Sequence, residues 1–310
     1  MTAPLSPNLR GALYMTLSMA AFTLNDVCVK LAAETVPLFQ IVFLRGLGTT
    51  ILLAITVHLT TGLRFGMPRR DRPLVIGRTV AEVGAMVAFL LALTNMAIAN
   101  ATAILSALPL LVTLGAAVFF RDPVGWRRWT AICVGFVGVM LIVQPGTDGF
   151  NSWSLLALLA VVIITARDLL TRAFSPAVPS MTVAVLTAAA VGVFGGIMSA
   201  FTPWAGLGLY EAALIFAASV LIIGGYVFGI MVMRIGDVSV VSPFRYTSLV
   251  FALILGLVIF DEFPNALALV GAAIVVATGV FTLLRERMVT RAAARAAARA
   301  VTHPSTPPHG

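Results

Sequence analysis

From residue 10 to residue 284 this chain is a succession of long apolar runs, interrupted only by short punctuation of Pro, Gly, Asn and Arg. A run of roughly 20 apolar residues is what a helix needs to cross the hydrocarbon core of a bilayer. The composition leaves no other host. Only 10% of the residues are charged and the mean hydropathy is +1.04, whereas soluble domains carry about 25% charged residues. The runs exceed twenty residues without period-two alternation, which argues against strands. The fold class expected is an all-α integral membrane protein with ten transmembrane helices. They fall near residues 10–33, 38–61, 73–95, 98–120, 127–144, 153–173, 179–201, 209–233, 238–260 and 266–284. The first run is too long for a cleavable leader and lacks a basic flank, so it reads as a retained first helix.

The basic residues orient the bundle. With the N-terminus in the cytoplasm, Arg10, Arg64, Arg69, Arg70, Arg72, Arg121, Arg127, Arg128, Arg172, Arg234, Arg285, Arg287, Arg291, Arg295 and Arg299 all fall at cytoplasmic ends. The opposite loops, around 34–37, 96–97, 145–152, 202–208 and 261–265, hold no base. This one-sided distribution predicts both termini in the cytoplasm of a cell whose inner (plasma) membrane holds the chain. It also accounts for the pI near 10.7 without a nucleic-acid partner.

The chain repeats itself. Asp26 and Asp168, Lys30 and Arg172, Val36 and Val178, and Pro37 and Pro179 are each 142 residues apart. Gly115/Gly256, Phe119/Phe260, Pro123/Pro264 and Gly138/Gly279 continue the relation at 141. The expected organisation is a five-helix repeat at 10–144, a second at 153–287 and an Arg/Ala-rich cytoplasmic tail at 288–310. An odd number of spans turns the second copy upside down. Inverted repeats of this kind belong to secondary transporters, whose sites lie near midplane between the copies.

These segments resemble a known family. "AILSALPLLVTLGAAVFFRDPVGWRRWTAICVGFVGVMLIVQPG" (103–146) is similar to the end of the first repeat of the drug/metabolite transporter superfamily, EamA branch. "SPFRYTSLVFALILGLVIFDEFPNALALVGAAIVVATGVFTLLRER" (242–287) is similar to the end of the second, and "VFLRGL" (42–47) fits as well. The resemblance implies the ten-helix fold and carriage of a small organic metabolite by alternating access. It leaves substrate and direction open among amino acids, nucleotide-like compounds, vitamins and drugs. An acid closes the fourth and ninth spans in that family. Here Asp122 and Glu262 occupy those places, and they are expected to face loops.

Charges inside the spans need partners or a wet cavity. By depth, Asp26 on the first span lies level with Arg45 on the second, and Asp168 on the sixth with Arg245 on the ninth. The i,i+4 pairs Asp26–Lys30 and Arg78–Glu82 share helix faces. Each pair reads either as glue between helices or as part of a site. Arg245 in "SPFRYT" stands between Phe244 and Tyr246 with no acid within four residues. That setting suits contact with a carboxylate, phosphate or planar ring. Glu82, near midplane, suits proton coupling or neutralisation by Arg78. Asp26, Arg45 and Asp168 complete the buried charges, and Asn25 and Asn95 are polar candidates for the cavity wall.

No spacing of His, Cys and carboxylates forms a metal site, no motif calls for a cofactor, and no nucleotide-binding loop supplies ATP drive. A membrane-embedded enzyme would need a catalytic cluster that the sequence lacks, and a purely structural membrane protein would leave Arg245 and Glu82 to pairing alone. A mixed-charge, aromatic-bearing interior and the resemblance favour a zwitterionic or heteroaromatic solute, such as an amino acid, riboflavin or S-adenosylmethionine. The tail places Arg287, Arg291, Arg295 and Arg299 on one helix face, suited to anionic lipid. A homodimer is left open.

Overall fold

A computed structural model describes residues 7–60, 66–121, 125–147, 150–235 and 241–302. Among these residues it is all-helical, with ten helical segments long and apolar enough to cross a membrane. They are span 1 (Leu9–Ala32), span 2 (Leu38–Leu59), span 3 (Arg72–Asn95), span 4 (Ile98–Phe119) and span 5 (Trp126–Val143). Span 6 (Trp153–Arg172), span 7 (Met181–Ser199), span 8 (Leu209–Gly229), span 9 (Ser242–Phe260) and span 10 (Ala266–Arg285) follow. Each lies within a few residues of its sequence-predicted range.

Two spans are not continuous. Span 4 is a short helix, Ile98–Leu105, followed by a second, Leu108–Phe119, with the break just ahead of Pro109. Proline lacks the amide hydrogen that would continue the ladder. Span 9 opens as a single 3-10 stretch, Ser242–Tyr246, containing Pro243, and becomes α-helical at Thr247. The last helix runs unbroken from Ala266 to Thr302, past the end of span 10. Asp122 and the final residues 303–310 lie outside the described residues.

Packing couples the first five spans to the last five. The main partnerships are span 1 with span 8, span 3 with span 6, span 2 with span 7, and span 5 with span 10. Renaming each span by its counterpart five places along turns 1·8 into 6·3 and leaves 2·7 and 5·10 unchanged. The lesser contacts obey the same exchange: 1·9 answers 6·4, and 2·8 answers 7·3. Spans 2 and 7 cross where Gly46 meets Gly192. A Cβ on Gly46 would lie 2.5 Å from the Gly192 Cα, so this crossing is a small-residue contact of the kind that draws helices together in lipid.

The ends of the spans are fixed by local chemistry. Arg121 and Asp261 take left-handed conformations, φ 55° and 53°, at the ends of spans 4 and 9. Gln144, with φ 52°, ends span 5 and exchanges side-chain amide hydrogen bonds with Asn265 at 2.7 and 3.2 Å, joining span 5 to the start of span 10. The core gathers around Val29, Ile41, Leu93, Ile98, Ile104 and Val139, close to the arginine-poor end of the bundle.

Candidate functional site: a charged central cavity

The bundle holds a partly open cavity of about 600 Å³ between spans 1, 2, 3, 4, 6, 8 and 9. That volume falls within the range of small-molecule sites, roughly 300–1,000 Å³. Its wall mixes Phe22, Phe89, Met19 and Met86 with hydroxyls such as Thr102 and Ser106. Into this lining come five charged side chains: Asp26, Arg45, Glu82, Arg167 and Arg245. The break in span 4 falls beside it, with Leu105, Ser106, Leu108 and Pro109 all in the wall.

Span 1 supplies one face. Met15, Met19, Phe22 and Asp26 recur at three- and four-residue intervals, which puts them on one side of the helix. Asp26 and Arg45 come to the same region, as their depths foretold, but they are not an ion pair. Arg45 donates to Asn25 Oδ1 at 3.0 Å, and Asn25 Nδ2 donates to Asp26 Oδ1 at 2.9 Å. Arginine can only donate, so the Asn25 carbonyl must face Arg45 and its amide must face Asp26. Asn25 and Arg45 are 3% and 6% exposed, so the bond between them is largely shielded from water.

Spans 3 and 6 supply a second charged group. Glu82 accepts from Arg167 at 3.1 Å and lies 3.5 Å from Arg78, one turn away. Arg167 also bonds Asp168 at 2.7 Å, and Arg78 donates to Thr187 of span 7 at 2.8 Å. The expected Arg78–Glu82 pair is therefore present, within a larger network that ties three spans together. Tyr226 of span 8 borders the same wall, edge-to-face with Phe22 at 5.5 Å between ring centroids.

Arg245 and Tyr246 line the cavity at the start of span 9. Among the described residues no carboxylate lies within ion-pairing distance of Arg245, which is exposed within its surroundings. Asp168, level with it by depth in the sequence, bonds its own neighbour Arg167 and stands outside the cavity wall. Phe244 and Asn95 are also outside the wall. Phe244 is one residue from Arg245 but turns away, and Asn95 donates back to Leu91 O at 2.8 Å near the arginine-poor end.

Two expectations are corrected. Lys30 does not pair with Asp26 one turn earlier. It reaches Glu262 at 2.8 Å and the Met96 carbonyl at 2.8 Å, where both carboxylate oxygens and a backbone acceptor are on offer. Glu262 therefore does not simply face a loop, since it holds a residue of span 1. Cavity residues without a prior role are Tyr226, whose signal was a tyrosine set in "IIGGYVFG", and Phe22, one turn before Asp26. Among the described residues no cluster of His, Cys, Asp and Glu could hold a metal ion.

Ten apolar helices, seven of them around a charged chamber of metabolite size, define a multi-pass membrane protein. Residues 9–144 match the model of the EamA-like transporter family, the family that the sequence resembles. The S-adenosylmethionine uptake transporter of Rickettsia prowazekii (strain Madrid E) is 27% identical over 295 residues, 93% of this chain and 97% of that protein. A riboflavin transporter of Rhizobium johnstonii is 28% identical over 300 residues, 92% and 94% of the two chains. A pseudopaline exporter of Pseudomonas aeruginosa is 25% identical over 272 residues, 86% and 93%. A solved crystal structure shares the fold with a TM-score of 0.63 at 20% identity, covering 91% of this chain and 99% of that one.

Proposed function

We propose that this protein is a secondary transporter that carries a small organic metabolite through the central cavity by alternating access. The observation that carries the reading is the cavity itself. A chamber of about 600 Å³ presents Asp26, Arg45 and Arg245, three charges that form no ion pair among the described residues, inside a membrane bundle. Leaving charges unpaired at membrane depth is expensive. A solute bearing complementary groups offsets that cost, which favours a zwitterionic or heteroaromatic substrate of the kind that names the uptake relatives.

The same reading takes residues 10–144 and 153–287 as inverted repeats that rock against each other. The exchange-symmetric packing of the spans supports it. The arginine-rich end is assigned to the cytoplasm of the inner membrane, with both termini there and the 288–310 tail against anionic lipid. The protein is read as a carrier and not as an enzyme, since the residues facing the chamber pair or bind and form no nucleophile–base set. Glu82, held by two arginines, is assigned to clasping spans 3 and 6. Asp26 is the carboxylate left free to change its partner.

The test is flux. Purified protein in proteoliposomes should take up radiolabelled S-adenosylmethionine, riboflavin or an amino acid saturably, and should exchange it with solute loaded inside. A pH gradient imposed across the vesicle would alter net uptake if protons are coupled. Absence of saturable exchange for every solute in a broad metabolite panel sinks the reading.

A further inference from the structure

Asp26 is arranged as a binding group. Its Oδ1 is occupied by Asn25, while Oδ2 receives no hydrogen bond from the described residues and no base lies within 4.0 Å of it. The guanidinium that could have neutralised it, Arg45, is turned onto the Asn25 carbonyl. Asn25 thus has two effects. It holds Asp26 in one orientation, and it keeps Arg45 from closing on the carboxylate. The other acid of the wall, Glu82, already has Arg167 and Arg78.

The surroundings specify what such a carboxylate can take. Phe22 lies one turn earlier on the same face, Tyr226 meets it edge-on, and Phe89, Met19 and Met86 share the lining. A small inorganic cation sheds its water only for several oxygen ligands, and here a single carboxylate oxygen is free. Aromatic rings and thioethers instead favour a weakly hydrated organic cation, which gains from ring faces as well as from the carboxylate.

We propose that Asp26 is the docking point for a weakly hydrated organic cation of the substrate, a sulfonium centre, with Asn25 as its positioning residue. This assignment rests on the central cavity being the substrate chamber. Arg245, with no acid of its own, takes the anionic group at another part of the wall. The pair makes the chamber selective for solutes that carry both charges.

S-adenosylmethionine and S-adenosylhomocysteine test it, because they differ by one methyl group and the positive charge on sulfur. Binding of each to the full-length protein in lipid nanodiscs is measured by isothermal calorimetry. The wild type should prefer the sulfonium compound by about tenfold or more. Asp26→Asn should bring the two affinities to within about twofold while leaving that of S-adenosylhomocysteine nearly unchanged. Asp26→Glu should keep the preference. Asn25→Ala, which leaves Asp26 in place but lets Arg45 close on it, should also lose the preference. Equal binding of the two compounds by the wild type, binding of neither, or an undiminished preference in Asp26→Asn or Asn25→Ala overturns the assignment. The wild-type comparison stands even if a variant misfolds. Solute exchange in proteoliposomes reports on the transport reading separately: flux that persists without sulfonium preference rejects only the role of Asp26.

Discussion

Lys30 Nζ lies 2.8 Å from both carboxylate oxygens of Glu262 and 4.8 Å from the centroid of the Phe260 ring. It thereby ties span 1 to the end of span 9 at the arginine-poor end of the bundle. At the opposite end Arg172 of span 6 lies 4.6 Å from the centroid of Phe120, which closes span 4. The two bases are 142 residues apart and the two rings 140, so one contact is the counterpart of the other under exchange of the halves. A second set obeys the same rule. Ser175 donates to Asp71 at 2.6 Å after span 6, and Thr35 makes a longer 3.5 Å contact with Glu211 after span 1. Each end of the bundle is thus fastened by contacts between halves.

An alternating-access carrier must release the Lys30–Glu262 contact to open its arginine-poor end. Lys30→Glu or Glu262→Lys alone sets like charges face to face, and each is expected to lower exchange flux on the order of tenfold. The double exchange, Lys30→Glu with Glu262→Lys, should restore most of it. Proteoliposome exchange rates for the three variants decide this. Strictly additive losses in the double variant would show that the contact is incidental.

Glu82 is a different kind of carboxylate from Asp26. Removing its charge strands Arg78 and Arg167 within the bundle, where breaking a buried pair is costly. Glu82→Gln is expected to lower the thermal midpoint by about 5 °C or more in detergent or nanodiscs, while flux, measured below that temperature, keeps its dependence on the pH gradient. Asp26→Asn should show the reverse, with little loss of thermal stability and an altered gradient response. Scanning fluorimetry paired with flux at two pH gradients separates the two behaviours. Loss of gradient dependence in Glu82→Gln alone would return the coupling role to Glu82.

The architecture was largely legible in the sequence because each span's length and apolarity are local properties. Pro109 at the break in span 4 and Pro243 at the 3-10 entry to span 9 are local signals as well, though each run reads as one continuous span in the sequence. Charge pairing was less legible. Helical spacing puts Asp26 and Lys30 on one face, but only the packed bundle brings Glu262, 232 positions away, within reach of Lys30. Depth matching found the neighbourhood of Asp26 and Arg45 and missed the amide between them. An asparagine next to an aspartate carries no sequence signal that it will sit between two charges. Comparable depth likewise did not bring Asp168 to Arg245, because Arg167 at the adjacent position takes its carboxylate.

Gly279 is a notch for a cavity residue. Tyr246 is 7% exposed, and its hydroxyl rests where a Cβ on Gly279 would have to stand. Gly279→Ala should therefore push the Tyr246 ring toward the cavity and weaken solute affinity, with membrane insertion intact. Shortening the ring by Tyr246→Phe in the same chain should recover affinity, because the displaced atom is the hydroxyl itself. Affinities of the single and double variants, from the calorimetric assay, show whether the two positions are coupled. An unchanged affinity in Gly279→Ala would mean that span 10 yields instead.

Topology gives an independent check on the frame that holds the cavity. Reporters fused after residues 65 and 125 should be cytoplasmic, and one fused after residue 148 should lie on the opposite side, as the distribution of arginines requires. Alkaline phosphatase activity at 125 would contradict the ten-span arrangement.

Arg245 provides the sharpest separation between binding and scaffolding. It opens span 9 beside Pro243, lines the cavity, and has no carboxylate within ion-pairing distance among the described residues. A guanidinium meets a carboxylate through two parallel hydrogen bonds, whereas an ammonium offers only a compact charge. Arg245→Lys keeps the charge and the stem, so insertion and thermal stability should stay at wild-type levels. Affinity for a solute bearing a carboxylate should fall by about tenfold, as expected for the loss of one charge-assisted hydrogen bond. A solute lacking the carboxylate should bind the variant and the wild type alike. If affinity for both kinds of solute is unchanged in Arg245→Lys, the guanidinium is no anion ligand, and the anionic end of the substrate must then be held by the hydroxyls of Thr102, Ser106 and Ser248 that share the same wall.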